Sequence, residues 1–261
     1  MNKQITFRDQ PVQYAVSGNG PTVMLLHGFG EDETVWNQLI SPLMGYRLII
    51  PVIPGSGTPA IDNAMLEDHA EWIAAILDQE SIDQVILIGH SMGGYISLAF
   101  AEKYPGRVKA LGLFHSSAYA DDEEKKATRK KAIEFIKSHG SRPFLETSTP
   151  NLFRDPDAHQ AIVNDLLVKG EKFAPETLVQ YYEAMIARPD RTHVLREAEY
   201  PVLFILGQHD KAVPFHDGLK QTHIPANAYI HILRESGHMG MFEEPQKAVE
   251  ILVKFIEDVK R

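Results

Sequence analysis

The chain has 261 residues, 44% hydrophobic and 23% charged, which fits one large α/β domain or one domain carrying an insertion and excludes a disordered chain. Its 26 basic and 35 acidic side chains give a formal net charge of −9, which argues against nucleic acid or an anionic membrane as partner, since both need a basic face. There is no cysteine, so thiol nucleophiles, zinc–thiolate sites, iron–sulfur clusters and disulfides are excluded. The opening residues lack the apolar run of a signal peptide, and no uncharged apolar stretch reaches 18 residues. A cytoplasmic protein without a membrane span is therefore expected.

In chain order, residues 5–7 and 12–16 read as antiparallel edge strands, followed by the turn signal Gly18-Asn19-Gly20-Pro21. Six continuous β-branched apolar runs follow, at residues 22–26, 47–53, 84–88, 108–114, 201–206 and 228–233. Unbroken apolar runs, as opposed to alternating ones, belong to parallel strands covered on both faces. Between them lie helical patterns: residues 65–77 repeat apolar side chains every 3.6 residues, 91–104 continue directly from the third run, and 245–259 close the chain. The alternation predicts an α/β protein with a doubly wound, mostly parallel eight-stranded sheet. One region breaks the rhythm. Residues 116–197 contain no convincing strand, only helical patterns at 121–139, 157–169, 175–187 and 192–198 punctuated by prolines. They read as an all-helical insertion into a core formed by residues 1–115 and 198–261. The run Asp121 to Lys126 places acids before bases, as suits a solvated helix start.

The third parallel run ends Gly89-His90-Ser91-Met92-Gly93. This is G-x-S-x-G between a strand and a helix, the setting in which a sharp turn lifts a serine hydroxyl above the sheet. Ser91 is the candidate nucleophile, and the backbone N–H of Met92, free at the helix start, is a candidate oxyanion donor. A second donor should come from the loop after the first parallel run, His27-Gly28-Phe29-Gly30, and Phe29 N–H is the candidate. A serine needs a base, and in this motif class the acid and then the histidine follow the nucleophile. Asp210 follows the fifth parallel run and His238 the sixth, both at strand ends where α/β sheets place their sites. Asp217 is the nearest rival acid but falls in a helical stretch. His90 reads as packing beside the turn. His115, with Ser116 and Ser117, is expected near the pocket rim, as a substrate contact or as loop chemistry. Phe135, Phe144, Phe153, Phe173 and Met185 could line an apolar pocket or pack a core. The histidines form no H-E-x-x-H pattern, and Gly55-Ser56-Gly57 lacks the Lys-Ser/Thr of a phosphate loop, so neither metal nor cofactor is expected.

Taken together and in order, His27-Gly-Phe-Gly30, Gly89-His-Ser-Met-Gly-Gly94, Gly207-Gln-His-Asp210 and Gly237-His-Met-Gly-Met-Phe-Glu-Glu-Pro245 resemble the α/β-hydrolase superfamily in its branch with a helical cap. The resemblance covers nearly the whole chain. It implies Ser91, Asp210 and His238 as a triad, Phe29 and Met92 as oxyanion donors, and residues 116–197 as a cap over the pocket. It implies a serine esterase acting on small, apolar carboxylic esters with water. Lactone, thioester, amide or carbon–carbon bond hydrolysis, cofactor-free peroxidase activity and a small-molecule receptor are the other uses of such a fold. Serine at 91 separates the chain from relatives with an aspartate nucleophile, and Gly-His-Met differs from the Gly-His-Trp of carbon–carbon bond hydrolases. One departure is Val52, where relatives often carry aspartate before Pro-Gly-x-Gly.

Overall fold

The computed structural model describes residues 1–260. Eight strands, β1 (Asn2–Phe7), β2 (Gln10–Ser17), β3 (Thr22–Leu26), β4 (Arg47–Pro51), β5 (Val85–His90), β6 (Val108–Phe114), β7 (Val202–Gly207) and β8 (Ala228–Leu233), form one sheet in the order β1-β2-β4-β3-β5-β6-β7-β8. The pairs β1–β2 and β2–β4 are antiparallel, and all others are parallel. Eleven helices accompany them: α1 (Asn37–Ile40), α2 (Leu66–Gln79), α3 (Met92–Lys103), α4 (Glu123–His139), α5 (Ser141–Ser148), α6 (Gln160–Gly170), α7 (Pro175–Ala187), α8 (Thr192–Arg196), α9 (Phe215–Lys220), α10 (Gly240–Glu243) and α11 (Pro245–Val259).

The two-residue side-chain period of a strand divides the core in two. Met24 and Leu26 pack with Leu77 of α2 and Phe100 of α3 on one face, while Val23 and Leu25 pack with Trp36, Leu252 and Phe255 on the other. All of these are fully buried, each side chain contributing about 1.5–3 kcal/mol of hydrophobic stabilisation. Being covered on both faces is what makes the central strands continuous apolar runs. α3 is buried from Met92 to Ala101, whereas α4 buries only Ile133 and Ile136.

Between β6 and β7 the chain forms helices α4–α8 and no strand. Its two ends meet at the sheet: Arg191 N–H donates to Ala118 C=O at 2.7 Å, and Ala118 N–H donates to the Gln221 side chain at 2.7 Å. α5 is an addition to the sequence reading, in which Pro143 and Pro150 mark breaks. Pro143 lies in the first turn of α5, where its missing N–H costs no hydrogen bond. The second parallel strand is also shorter than its apolar run: Val52 N–H still donates to Gln13 C=O of β2 at 2.9 Å, but Ile53 N–H leaves the sheet for His27 Nε2 at 3.0 Å. Among the described residues no helix is long and apolar enough to cross a membrane.

Candidate active site

The loops that follow β3, β5, β7 and β8 converge at the carboxyl edge of the sheet, the position at which open α/β sheets bind ligands. Ser91 follows β5 with φ 50° and ψ −116°, a strained conformation for a residue with a side chain, costing of order 1–3 kcal/mol. The surroundings hold it there. Its N–H donates to Phe114 C=O at 3.0 Å, and its carbonyl accepts from Gly94 N–H at 2.9 Å and from the Ser116 hydroxyl at 2.8 Å. The turn is tight enough that a Cβ on Gly93 would lie 2.5 Å from the carbonyl oxygens of Leu26 and His27. A Cβ on Gly28 would stand 3.2 Å from Ser91 Cβ, so the β3 loop passes directly beside the serine. Among the described residues, the N–H groups of Phe29 and Met92 have no protein acceptor, and both belong to segments bordering Ser91.

His238 donates from Nδ1 to Asp210 Oδ2 at 2.7 Å, which leaves its Nε2 lone pair free to act as a base. The other oxygen of Asp210 accepts from Ala212 N–H at 2.8 Å and Val213 N–H at 2.9 Å. Burial raises the Asp210 pKa, but His238 and these donors outweigh it and leave the carboxyl below its ordinary range. The His238 backbone is fixed on both sides: its N–H donates to Leu152 C=O at 2.6 Å and its C=O accepts from His90 Nε2 at 2.9 Å. Asp217 lies in α9 and pairs with Lys220, away from the histidine.

Two further groups complete the site, one that sequence reasoning passed over and one that it placed at the pocket rim. Glu31, 5% exposed, accepts from Gly28 N–H at 2.7 Å and from His90 Nδ1 at 3.0 Å. His90 therefore faces a carboxylate at one ring nitrogen and a carbonyl at the other. With Glu31 ionised both partners accept, so both ring nitrogens carry hydrogen and the ring is an imidazolium. Burial lowers the His90 pKa, but the Glu31 charge and hydrogen bond exceed that and raise it. Burial likewise raises Glu31, and His90 with the Gly28 N–H reverses this and holds it low. This ion pair joins the β3 loop, the strand end before Ser91 and the His238 backbone. The signal available in the sequence was an acid directly after a Gly-rich loop, with His90 59 residues away.

His115 is the second. It is 1% exposed and does not reach the rim where the sequence suggested a substrate contact. Its Nε2 accepts from Gly240 N–H at 3.2 Å, which places its proton on Nδ1, 3.6 Å from Asp210 Oδ2. Burial keeps this ring well below the ordinary histidine pKa, so it is neutral and presents an N–H dipole to the Asp210 carboxylate. His27 is fixed as the neutral tautomer in the same way. It donates to Gly28 C=O at 3.0 Å and accepts from Ile53 N–H at 3.0 Å, tying the β3 loop to the chain after β4.

Ser91 and His238 open into a cavity of about 450 Å³ whose core side carries Phe29, Tyr95 and Met239. Its opposite wall comes from the helices after β6, with Arg129 of α4, Leu145 of α5 and Tyr182 of α7 among the lining residues. Of the five apolar residues weighed from the sequence, Met185 lines this cavity, Phe144, Phe153 and Phe173 are buried in packing, and Phe135 is exposed. Among the described residues no cluster of three or more histidine, aspartate or glutamate side chains could hold a metal ion.

The sequence profile of the alpha/beta hydrolase family matches residues 23–251, and the chain belongs to this family. It is 29% identical to the 2-hydroxy-6-oxononadienedioate/2-hydroxy-6-oxononatrienedioate hydrolase of Escherichia coli, across 90% of this chain and 86% of that one. Its structure superposes on a thermophilic esterase from Thermogutta terrifontis, solved with malate bound, with a TM-score of 0.92 at 25% identity over the whole of both chains. The enol-lactonase of Burkholderia xenovorans has the same fold, with a TM-score of 0.90 at 19% identity over 98% of this chain and all of that one.

Proposed function

We propose that the protein is a serine hydrolase of carboxylic esters, working through an acyl-enzyme. The observation that carries this reading is the pairing of His238 with Asp210 at 2.7 Å, beside a serine held at φ 50° on the rim of the same cavity. Ser91 Oγ attacks the ester carbonyl while His238 Nε2 takes its proton. Asp210 holds the imidazole in the required tautomer and stabilises its positive charge. The N–H groups of Phe29 and Met92 bind the oxyanion, each worth at most about 3–4 kcal/mol. His238 returns the proton to the leaving alcohol, then deprotonates a water that releases the acyl group as its acid. Ester and water thus give acid and alcohol, with no cofactor. Residues 116–197 act as the cap that shapes the pocket, since their helices supply the wall facing Ser91.

Labelling with a fluorophosphonate probe, read by mass spectrometry, should modify Ser91, and Ser91→Ala should lower turnover of p-nitrophenyl butyrate by roughly 10⁴- to 10⁶-fold with the fold intact. A Ser91→Ala protein with wild-type turnover overturns the reading. A second reading, hydrolysis of a carbon–carbon bond beside a ketone, is favoured by the relatives named for 2-hydroxy-6-oxononadienedioate. It uses the same residues, and turnover of such a diketone-derived acid faster than any ester would select it.

A further inference from the structure

One end of the cavity carries charge that the reaction above does not use. Asp121, 4% exposed, receives two arginines: Arg188 Nη2 donates to Oδ1 at 2.9 Å, and Arg129 Nε donates to Oδ2 at 2.6 Å. Two guanidinium groups on one carboxylate leave one positive charge in a largely buried cluster, a costly arrangement unless an anion joins it. Both terminal nitrogens of Arg188 are spent on protein acceptors, donating also to the carbonyls of Met185 and Tyr119, and its Nε, although without a partner, is buried and outside the cavity lining. The terminal nitrogens of Arg129 are not. Its side chain is 12% exposed, it lines the cavity, and among the described residues its two terminal nitrogens have no hydrogen-bond partner.

Tyr95 stands in the same place. It is one helical turn beyond Ser91 on α3, and its ring lies under the Arg188 guanidinium at 4.0 Å. It lines the cavity, and its hydroxyl has no partner among the described residues. Burial raises its pKa, yet the charges of Arg188, Lys125 and Arg129 outweigh that and lower it, a measure of how positive this end of the cavity is. The carboxylates near the wall do not cancel this charge. Glu31 is held by Gly28 and His90, Asp122 caps α4, Asp217 pairs with Lys220, and Glu124 is exposed at the rim. The charged end is joined to the reacting end by stacked rings: Phe29 lies on Tyr182 at 4.3 Å, and the Arg129 guanidinium lies over Tyr182 at 5.4 Å.

We propose that the cavity takes a substrate carrying a free carboxylate in addition to the scissile carbonyl, held by the terminal nitrogens of Arg129 with the Tyr95 hydroxyl beside it. A planar fork of donors fits a carboxylate at two points, which a lysine would not reproduce. The substrate class is then the half-ester of a dicarboxylic acid or a chemically equivalent acid. This rests on the reading of Ser91 as nucleophile, but its binding half is measurable without catalysis.

Calorimetric titration with glutarate, adipate and pimelate, with neutral adipamide as control, reads the subsite directly. At least one dicarboxylate should bind at least tenfold tighter than adipamide, and Arg129→Gln should weaken that binding about 10- to 100-fold. Arg129→Lys keeps a charge beside Asp121, so it remains informative if Arg129→Gln fails to fold, and it should also bind the dicarboxylate more weakly. In turnover, the ratio of kcat/KM for monomethyl adipate to that for dimethyl adipate should fall by a similar factor in either variant. Equal binding of adipate and adipamide by the wild type, or unchanged dicarboxylate binding in the variants, overturns the proposal. If adipate binds as expected but Ser91 is neither labelled nor needed for turnover, the serine hydrolase reading fails and the carboxylate site stands.

Discussion

His90 and Glu31 form a buried ion pair whose worth depends on both members staying charged. Removing one partner of such a pair strands the other, at a cost of about 3–5 kcal/mol. Glu31→Gln should therefore lower stability by that order in urea unfolding, and lower kcat as well, because the same carboxylate fixes Gly28 beside Ser91. An unchanged midpoint would show that His90 is neutral and the pair unimportant. His69 poses the opposite case. It is 1% exposed, both ring nitrogens lack partners, and burial lowers its pKa to about 4. The folded-state value lies below the unfolded one, so as pH drops below about 6.5 the unfolded chain takes up a proton that the folded protein refuses. Stability contributed by neutral His69 is thus present near pH 7 and lost as pH falls toward 4. Compared with His69→Leu, the wild type should lose about 2 kcal/mol more between pH 7 and pH 5. Parallel stability curves for the two proteins would rule this out.

At the scale of elements, the site depends on the turn from β5 into α3, which must pass close to the end of β3. Gly93→Ala puts a methyl group 2.5 Å from the backbone oxygens of Leu26, at the end of that strand, and of His27 just after it, and backbone cannot swing aside as a side chain can. The substitution should destabilise by about 1–3 kcal/mol or more and also reduce hydrolase turnover, by displacing the Phe29 loop and Ser91 from each other. Full activity with native stability in this variant would mean the turn is looser than the structure shows. These same elements were the most legible part of the sequence. β5 is buried at every position, so it reads as an unbroken apolar run, and the glycines after it mark the close approach. α5 was not legible, because eight residues containing Pro143 carry too little periodicity to outweigh a breaker. Glu31, and the partners of His115, were not legible for another reason. The partners lie 59 residues away at His90 and 125 away at Gly240, so only the folded chain shows what the two residues touch.

Across the whole molecule, packing is uneven. The strands and α3 are anchored by buried side chains on every turn, whereas the 17 residues of α4 bury only two. Local opening is easiest where few apolar contacts hold an element. Amide hydrogen exchange should accordingly be fastest in α4, among the cavity-lining helices, and slowest in β5 and α3. Protection of α4 equal to that of α3 would contradict this. A dicarboxylate bound at Arg129 should slow exchange in α4 specifically, since the helix would gain an anchor it otherwise lacks. The parts nearest Ser91 are thus the most firmly anchored, and the α4 wall facing them the least.

The hydrogen bond between Ala118 and Arg191 brings the chain back, after more than seventy residues, to almost the point from which it left the sheet. Such a junction behaves as a socket. Any helical cassette whose two ends can meet there imposes no new span on the core, and loop length adds little entropy to closing it. Arg191 strengthens the socket by reaching Glu67 and Glu102 on α2 and α3, so the seam is clamped from the core side. Cassettes could therefore be exchanged between relatives by splicing at these two residues, leaving the sheet and its carboxyl-edge loops unaltered. Selectivity would be inherited with the insert and reactivity with the chassis.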